Sequence, residues 1–324
     1  MARANAVTFS HRVQFAAFRA VEALVRLLPS SGAAALGRGV GRLFCLVDAR
    51  HRRLVRENLR GSSLPLDEPA VRALSQACFE HVGAMLFSTV RLLRATPDEL
   101  RAVTRIEGRE HIDAAFAEGK GIIGLTGHFG NWELLALALS LEGRQVDAIG
   151  RELDNPLLEA ALRDFRTRTG NSVIAKNGAA RGTLKSVKQG RMVGFLLDQD
   201  ALASGVFVKF LGRWASTFST PGMIATRFDL PVLPLASRVE PDGTVVVTAY
   251  PPMHIPATGD PARDTWVATQ RMTAWIERQV LANPNQWFCW LHRRFKTQPG
   301  PGEPPLPEPE WLAAEGITPP GPDA

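Results

Sequence analysis

Residues 192–197 form an uninterrupted apolar run, Met-Val-Gly-Phe-Leu-Leu, in the second half of the 324-residue chain. A run of this length without a polar residue is typical of a strand that is buried on both faces, as in the interior of a parallel sheet. Other short apolar runs before and after it are separated by helix-like stretches. These further strands are predicted at 122–126, 146–149, 172–175, 232–236 and 244–249. The alternation predicts an α/β fold with a mostly parallel central sheet flanked by helices.

The stretch 121–133, Gly-Ile-Ile-Gly-Leu-Thr-Gly-His-Phe-Gly-Asn-Trp-Glu, combines a strand, a glycine-rich turn and a helix start. His128 lies in the turn at the carboxyl end of the strand, where open α/β sheets bind ligands. Asn131 can cap the helix that follows, and Glu133 falls in its first turn. We expect the Glu133 carboxylate to orient His128, which would take a proton from an alcohol. A strand-capping histidine and an ordinary acidic helix start explain the same residues without catalysis.

Positive charge is concentrated at the beginning of the chain. Residues 1–60 hold eleven arginines against three acidic residues, whereas the whole chain has a net charge of +6. Such a basic end implies an anionic partner, either nucleic acid or an acidic membrane surface. No recognised nucleic-acid motif accompanies it, which favours the membrane.

Residues 13–28 predict an amphipathic helix. Charged residues recur at helical spacing and leave an apolar side, as in helices that lie in a membrane interface; the predicted apolar side comprises Phe15, Phe18, Val21, Leu24, Val25 and Leu28. The same pattern fits a helix packed on the protein's own core. Its interruption by charges excludes a simple membrane span, and no cleavage site of a signal peptide follows it. Arginines are dense again at 49–60, where they are either a solvated helix face or a site for anionic lipid head groups.

The three cysteines, Cys45, Cys78 and Cys289, are far apart and odd in number. Their spacing predicts neither a disulfide framework nor a zinc site, and fits small core residues in a reducing compartment.

Four motifs resemble those of one enzyme family. His128-Phe-Gly-Asn-Trp-Glu133 is similar to the H-x4-D/E motif of glycerolipid acyltransferases, in the form found in the late, secondary acyltransferases of lipid A biosynthesis. The lauroyl and myristoyl transferases of that family also have motifs similar to Arg151-x-x-x-Asn155-Pro-Leu, to Leu-Leu-Asp198-Gln-Asp200, and to Pro-x-Gln-Trp-x-x-x-x-His-Arg293-Arg294-Phe-Lys. The chain departs from the family at 208–212, Val-Lys-Phe-Leu-Gly, where a Pro-Phe-Phe-Gly type is usual.

The resemblance implies a set of site residues. Catalytic roles are expected for His128, Glu133, Arg166 and Asp198, and substrate contacts for Arg151, Asn155, Arg168, Asp200, Arg293 and Arg294. An Arg166 guanidinium would hold a phosphate or stabilise a developing oxyanion. The cations of the last motif would face phosphates, although its tryptophans are equally typical of a packing motif.

The resemblance also implies the reaction. We expect transfer of a fatty acyl chain from acyl-carrier protein or acyl-CoA to a hydroxyl of a phosphorylated glycolipid, most consistently a lipid A precursor, at the cytoplasmic face of the inner membrane. Neither a metal nor another cofactor is expected, and the chain has no G-x-S-x-G nucleophile elbow. The open alternatives are another lipid acceptor, such as a phosphatidylinositol mannoside, and a non-catalytic membrane-binding protein on the same fold.

Three regions are predicted along the chain. Basic membrane-associating helices occupy 1–60, the α/β acyltransferase domain occupies 61–298, and a proline-rich flexible tail occupies 299–324. Nine prolines in the tail prevent it from forming a core.

Overall fold

The computed structural model describes residues 7–175, 178–300 and 306–317. The first four helices along the chain are α1 Phe9–Arg26, α2 Ser30–Val47, α3 Ala49–Arg60 and α4 Glu68–Leu92. The strands are β1 Thr104–Glu107, β2 Ile122–Thr126, β3 Val146–Gly150, β4 Ser172–Ala175, β5 Met192–Leu196, β6 Val206–Phe210, β7 Arg213–Thr217, β8 Val232–Val239 and β9 Val245–Ala249. The remaining helices are α5 Pro97–Val103, α6 Arg109–Ala117, α7 Trp132–Leu141, α8 Pro156–Thr167, α9 Ala179–Lys188, α10 Thr220–Arg227, α11 Pro261–Ala282 and α12 Pro309–Ala314.

Within the described residues, seven strands form one sheet in the order β1-β9-β8-β2-β5-β3-β4. Every pair is parallel except β8 with β9. This confirms the α/β fold with a mostly parallel sheet. β2 lies between β8 and β5 at the centre, and all five of its residues are buried, as its apolar sequence predicts. The carboxyl ends of β2 and β5 are adjacent, which brings residues 127–131 next to residues 197–199.

Two elements are missing from the sequence prediction. β1 extends the sheet edge beside β9, and β6 and β7 form a separate antiparallel hairpin in the stretch predicted to be irregular. The hairpin contains the segment that departs from the family pattern. Its turn places Leu211 and Gly212 at φ 51° and 78°, and Phe210 packs against Trp287 with ring centroids 5.5 Å apart.

The first three helices do not form a separate unit. Val55 and Leu59 of α3 belong to the same hydrophobic core as Trp287 and Trp290, so the core continues across the boundary predicted at residue 60. α1 packs against α4 and α8. Its Glu22, predicted on the polar face, is buried and pairs with Arg19 and Arg94.

The apolar residues of α1 are divided between the protein and its surface. Phe18 packs against a core cluster and Val25 is buried, whereas Phe9, Leu24 and Leu27 are exposed. One side of α1 is thus packed on the protein's own core, which was one of the two alternatives, and its association with a membrane stays a prediction. No helix in the described part of the chain has the length and apolar character needed to cross a membrane.

Part of the tail predicted to be flexible is packed. Leu312 of α12 is buried with Trp266 of α11, and Trp311 lies with its ring centroid 6.1 Å from that of Trp266. Glu315 pairs with Arg271 at 2.7 Å. Two aromatic residues and an ion pair therefore anchor residues 306–317 to α11, which proline content alone did not indicate.

α2 and α4 are in backbone contact. Gly37 and Gly41 of α2 face Gly83 of α4, and a Cβ atom placed on Gly41 would lie 2.1 Å from the carbonyl oxygen of Phe79. Small residues four apart allow helices to approach this closely. The spacing Gly-x-x-x-Gly in α2 therefore fixes its position on α4.

We expect Gly41→Ala to lower the free energy of unfolding by about 1–3 kcal/mol, because the added methyl overlaps the Phe79 carbonyl. Gly39→Ala in the same helix is the matched control, since a Cβ there meets nothing within 4 Å. It should instead stabilise the protein by about 0.5–1 kcal/mol, because alanine is the better helix former. Denaturant unfolding of both variants measures the difference, and equal effects would refute the close helix contact.

Candidate active site

The side chain of His128 is held by Asp198. His128 Nδ1 lies 2.7 Å from Asp198 Oδ1, and the backbone N–H of His128 donates to Asp198 Oδ2 at 2.6 Å. Asp198 follows β5, whose carboxyl end lies beside that of β2. The Asp198 carboxylate thus orients the ring with the proton on Nδ1, which leaves Nε2 as the basic nitrogen. Gln199 Nε2 lies 3.4 Å from it.

Trp287 donates the third hydrogen bond to the Asp198 carboxylate, from Nε1 to Oδ2 at 2.8 Å. Asp198 is 1% exposed. Burial raises its pKa, but the charge of His128 and the hydrogen bonds from His128 and Trp287 outweigh this and lower the pKa to about 2. The carboxylate is therefore ionised throughout the physiological pH range.

The turn that carries His128 is fixed from three sides. Gly130 has φ 60°, and any Cβ there would lie 2.1 Å from the carbonyl oxygen of Ser237, so only glycine fits. The backbone N–H of Phe288 donates to the carbonyl of His128 at 2.8 Å. His81 of α4 contacts the Gly130 carbonyl through Nε2 at 3.1 Å, and burial lowers the pKa of His81 to about 4. His81 is thus neutral at pH 7 and donates this bond.

Glu133 bonds to Arg166 and not to His128, which corrects the expected pairing. Arg166 Nε and Nη2 donate to the two carboxylate oxygens at 2.8 and 2.5 Å. α7 begins at Trp132 with Asn131 as its cap, and this start turns Glu133 toward α8. Burial lowers the pKa of Arg166, but the hydrogen bonds to Glu133 and its charge raise that pKa by a larger amount, so the guanidinium is charged. Glu133 directly follows Trp132, and the ring centroid of Trp132 lies 5.1 Å from that of His128.

Arg294 does not face a substrate. It is fully buried and donates to the carbonyls of Gln199 and Ser216 and to Thr217 Oγ1. Burial lowers its pKa to about 10. Its guanidinium joins the segment after β5 to β7, which is a structural role that the adjacent charges in the sequence did not distinguish from phosphate binding.

The other predicted contact residues are scattered. Asn155 caps α8 and also donates to the His11 carbonyl, which ties α1 to α8. Arg168 donates to the Ala95 carbonyl at 3.1 Å. Asp200 accepts from Thr297 Oγ1 at 2.9 Å.

Two predicted arginines lie on the surface. Arg151 is an exposed residue 3.4 Å from Asp154, and Arg293 is exposed without an ion pair among the described residues. These two retain freedom to meet a ligand.

His128, Asp198 and Cys289 offer ligand atoms within 4.8 Å of one another. Burial, and next the Asp198 charge, raise the pKa of the Cys289 thiol well above its usual range. Metals bind the thiolate, so this protonated thiol is a poor ligand. Cys45 and Cys78 are also buried free thiols, as predicted from their spacing. The absence of a metal requirement remains a prediction.

The family model described as "Bacterial lipid A biosynthesis acyltransferase" matches residues 5–297. The chain belongs to this family. It is 30% identical over 280 residues to the lipid A biosynthesis lauroyltransferase of Escherichia coli K12, covering 85% of this chain and 89% of the relative. The lipid A biosynthesis myristoyltransferase of the same strain is 25% identical over 83% of this chain and 81% of its own length. A phosphatidylinositol mannoside acyltransferase of Mycobacterium tuberculosis is 25% identical over 57% of this chain and 60% of its own length.

Membership identifies the protein as an acyltransferase and agrees with the geometry around His128. The structure pairs the four residues with expected catalytic roles as His128–Asp198 and Glu133–Arg166, whereas the sequence pattern pairs Glu133 with His128; the catalytic roles stay predictions. Sequence reasoning missed His81 and Ser237, for which no motif exists. Trp287 was noted within the last motif, but its hydrogen bond to Asp198 could not be foreseen.

We expect Asp198→Asn to reduce kcat about 10³–10⁴-fold, as loss of a histidine-orienting carboxylate does in hydrolytic triads. Two donors face Asp198 Oδ2, so the asparagine oxygen would occupy that position and its amide would face His128 Nδ1. The imidazole would then carry its proton on Nε2 and lose its basic nitrogen. Steady-state acyl transfer measures the effect.

The control for this prediction is the same change in a His128→Ala background. If Asp198 acts through His128, it should cost nothing further there. A single Asp198→Asn variant within tenfold of wild type would contradict the assigned role.

The Glu133–Arg166 pair should show strong coupling. We expect Glu133→Gln and Arg166→Gln each to destabilise the protein, because either single change leaves a partly buried charge unpaired. The double variant should lose less stability than the sum of the two single changes. A double-mutant cycle in denaturant should give a coupling of about 1–3 kcal/mol. Additive effects would show that the two charges do not depend on each other.

Proposed function

We propose that this protein transfers a fatty acyl chain from a carrier thioester to a hydroxyl of a phosphorylated glycolipid of the lipid A precursor class. The single observation that carries the proposal is the His128–Asp198 pair at the carboxyl end of the central strand, in a chain of this family. The most similar of the relatives above is named a lipid A biosynthesis lauroyltransferase. An inert protein on the same fold would have no need of this oriented imidazole.

The chemistry follows from the free Nε2 of His128. That nitrogen takes the proton of the acceptor hydroxyl, and the hydroxyl oxygen attacks the carbonyl carbon of the thioester. The carbon–sulfur bond breaks, and His128 returns the proton to the departing sulfur. The Asp198 carboxylate stabilises the imidazolium between these two transfers. Donor and acceptor react directly, so the enzyme forms no covalent intermediate.

Arg166 retains a role in this proposal. Its Nε and Nη2 are engaged by Glu133, while Nη1 has no hydrogen-bond partner among the described residues. That N–H group would stabilise the developing oxyanion or hold a phosphate of the acceptor. Glu133 then acts as a positioning residue that holds the guanidinium in place.

The donor is acyl-carrier protein or acyl-CoA, and the site of action is the cytoplasmic face of the inner membrane, with the protein peripheral or monotopic. What supports the location is the nature of the acceptor and the exposed apolar residues of α1, which include Phe9 at 83% and Leu24 at 66% exposure. No cofactor is required by the proton transfers described.

We expect purified wild-type protein in detergent to move radiolabel from an acyl-carrier thioester into a lipid A precursor, and His128→Ala to lose at least about 10³-fold in rate. Parallel reactions with acyl-CoA, and with a phosphatidylinositol mannoside as acceptor, identify the donor and the acceptor.

Two results of that experiment would count against the proposal. Equal rates for wild type and His128→Ala would exclude His128 as the base. Transfer only to the mannoside would replace the acceptor while leaving the chemistry in place.

A further inference from the structure

α3 carries a stripe of arginines that line a single cleft. Residues 52, 56 and 60 repeat every four positions and residue 53 lies beside them, so their side chains share one side of the helix. The cleft measures about 260 Å³ and is lined by Ala49, Arg52, Arg53, Arg56 and Arg60. We call it the α3 cleft.

The positive charge of the α3 cleft is only partly balanced by acidic residues of the protein. Arg60 pairs with Glu68, while Asp48 is engaged by His51. Arg53 and Arg56 have no carboxylate partner among the described residues, and Arg56 Nε is shielded from solvent without a hydrogen-bond partner. Like charges spaced along one helix face destabilise it unless an anion lies between them. The cleft therefore favours a ligand with more than one negative charge, and guanidinium groups match phosphate oxygens.

The cleft borders an apolar surface. At the end of α2, Leu46 and Val47 are 69% and 67% exposed, and Phe44 is 47% exposed. Arg52 donates to the carbonyls of Cys45 and Leu46, which fixes the cleft against this surface. Apolar side chains next to arginines match a lipid, whose acyl chains and phosphate lie at adjacent depths.

α3 also connects the cleft to the catalytic centre. On the other side of the helix, Asn58 is buried and donates to the carbonyls of Trp290 and His292 at 2.9 and 3.1 Å. The same segment contains Trp287, which holds Asp198. A phosphate bound by the arginines is therefore held on the helix that supports the active-site segment.

We propose that the α3 cleft binds a phosphate monoester of a glycolipid at the membrane surface, with the apolar end of α2 among its acyl chains. The glycolipid identity rests on the proposed function, whereas the phosphate site does not. Because binding can be measured without turnover, failure of either is seen separately.

The test is vesicle flotation with the His128→Ala protein, which binds without reacting. Vesicles contain phosphatidylcholine alone, or with an equal charge of phosphatidylglycerol, phosphatidic acid or a bisphosphorylated lipid A precursor. Replacing Arg53 and Arg56 by Gln should weaken binding to the two phosphomonoester vesicles about 30-fold, since each arginine near an anionic surface contributes on the order of 1 kcal/mol. The matched control is the double variant Arg181→Gln/Arg278→Gln, because both residues are exposed and their replacement removes the same amount of charge.

The outcomes separate the explanations. A loss confined to the Arg53/Arg56 variant, with unchanged thermal unfolding, supports the site; Arg53→Gln alone gives the same direction if the double variant unfolds. Equal losses in both double variants would reduce the effect to net charge and overturn it. Inorganic phosphate could also release the protein from vesicles at concentrations where sulfate does not. If the protein then also binds phosphomonoester vesicles no better than the other vesicles, the cleft is a site for free phosphate and the lipid assignment is overturned.

Discussion

The carboxylate of Asp198 organises the active site. Three donors converge on it, from the ring and backbone of His128 and from the indole of Trp287. His128 lies in the turn after the central strand, Trp287 lies in the motif near residue 290, and Asp198 itself follows the neighbouring strand, so one buried charge joins three parts that are far apart in sequence. Leaving a buried carboxylate without these partners would be costly, and the site is therefore assembled only in the complete fold.

The Asp198 carboxylate links the register of the sheet to the proposed proton transfer. Parallel pairing of β2 with β5 brings residues 127 and 198 to the same edge of the sheet. The ionised carboxylate then decides which ring nitrogen of His128 carries the proton. In the proposed reaction the acceptor hydroxyl meets the opposite nitrogen, so the register of two strands would determine which atom acts as the base.

The fold was largely predictable because local patterns and tertiary structure agree. The apolar run at 192–197 and the alternation around it suffice for a parallel sheet. The hairpin of β6 and β7 was missed because its turn is made by Leu211 and Gly212, not by a common turn sequence. α12 was missed because a proline-rich segment is held by Trp266 and Trp311, a contact between distant residues.

The sequence named the members of the two side-chain pairs, His128–Asp198 and Glu133–Arg166, but not how they pair. A spacing of five residues made Glu133 the natural partner of His128, yet the helix start directs it to Arg166. The observed partner of His128 is Asp198, which follows another strand, and local sequence does not determine which strands are neighbours in the sheet. Likewise, Arg293 and Arg294 are neighbours in the chain, but one is exposed and the other is buried among carbonyl oxygens. Only the packing of the hairpin separates them.

The glycine contact between α2 and α4 also has a mechanical meaning. Backbones that touch at Gly37, Gly41 and Gly83 have no side chains between them to absorb a shift. α4 also carries His81, two residues after Phe79, and His81 holds the carbonyl of Gly130 in the turn that carries His128. A displacement of the exposed apolar end of α2 would therefore move α4 with it, and through His81 it would move the turn that carries His128.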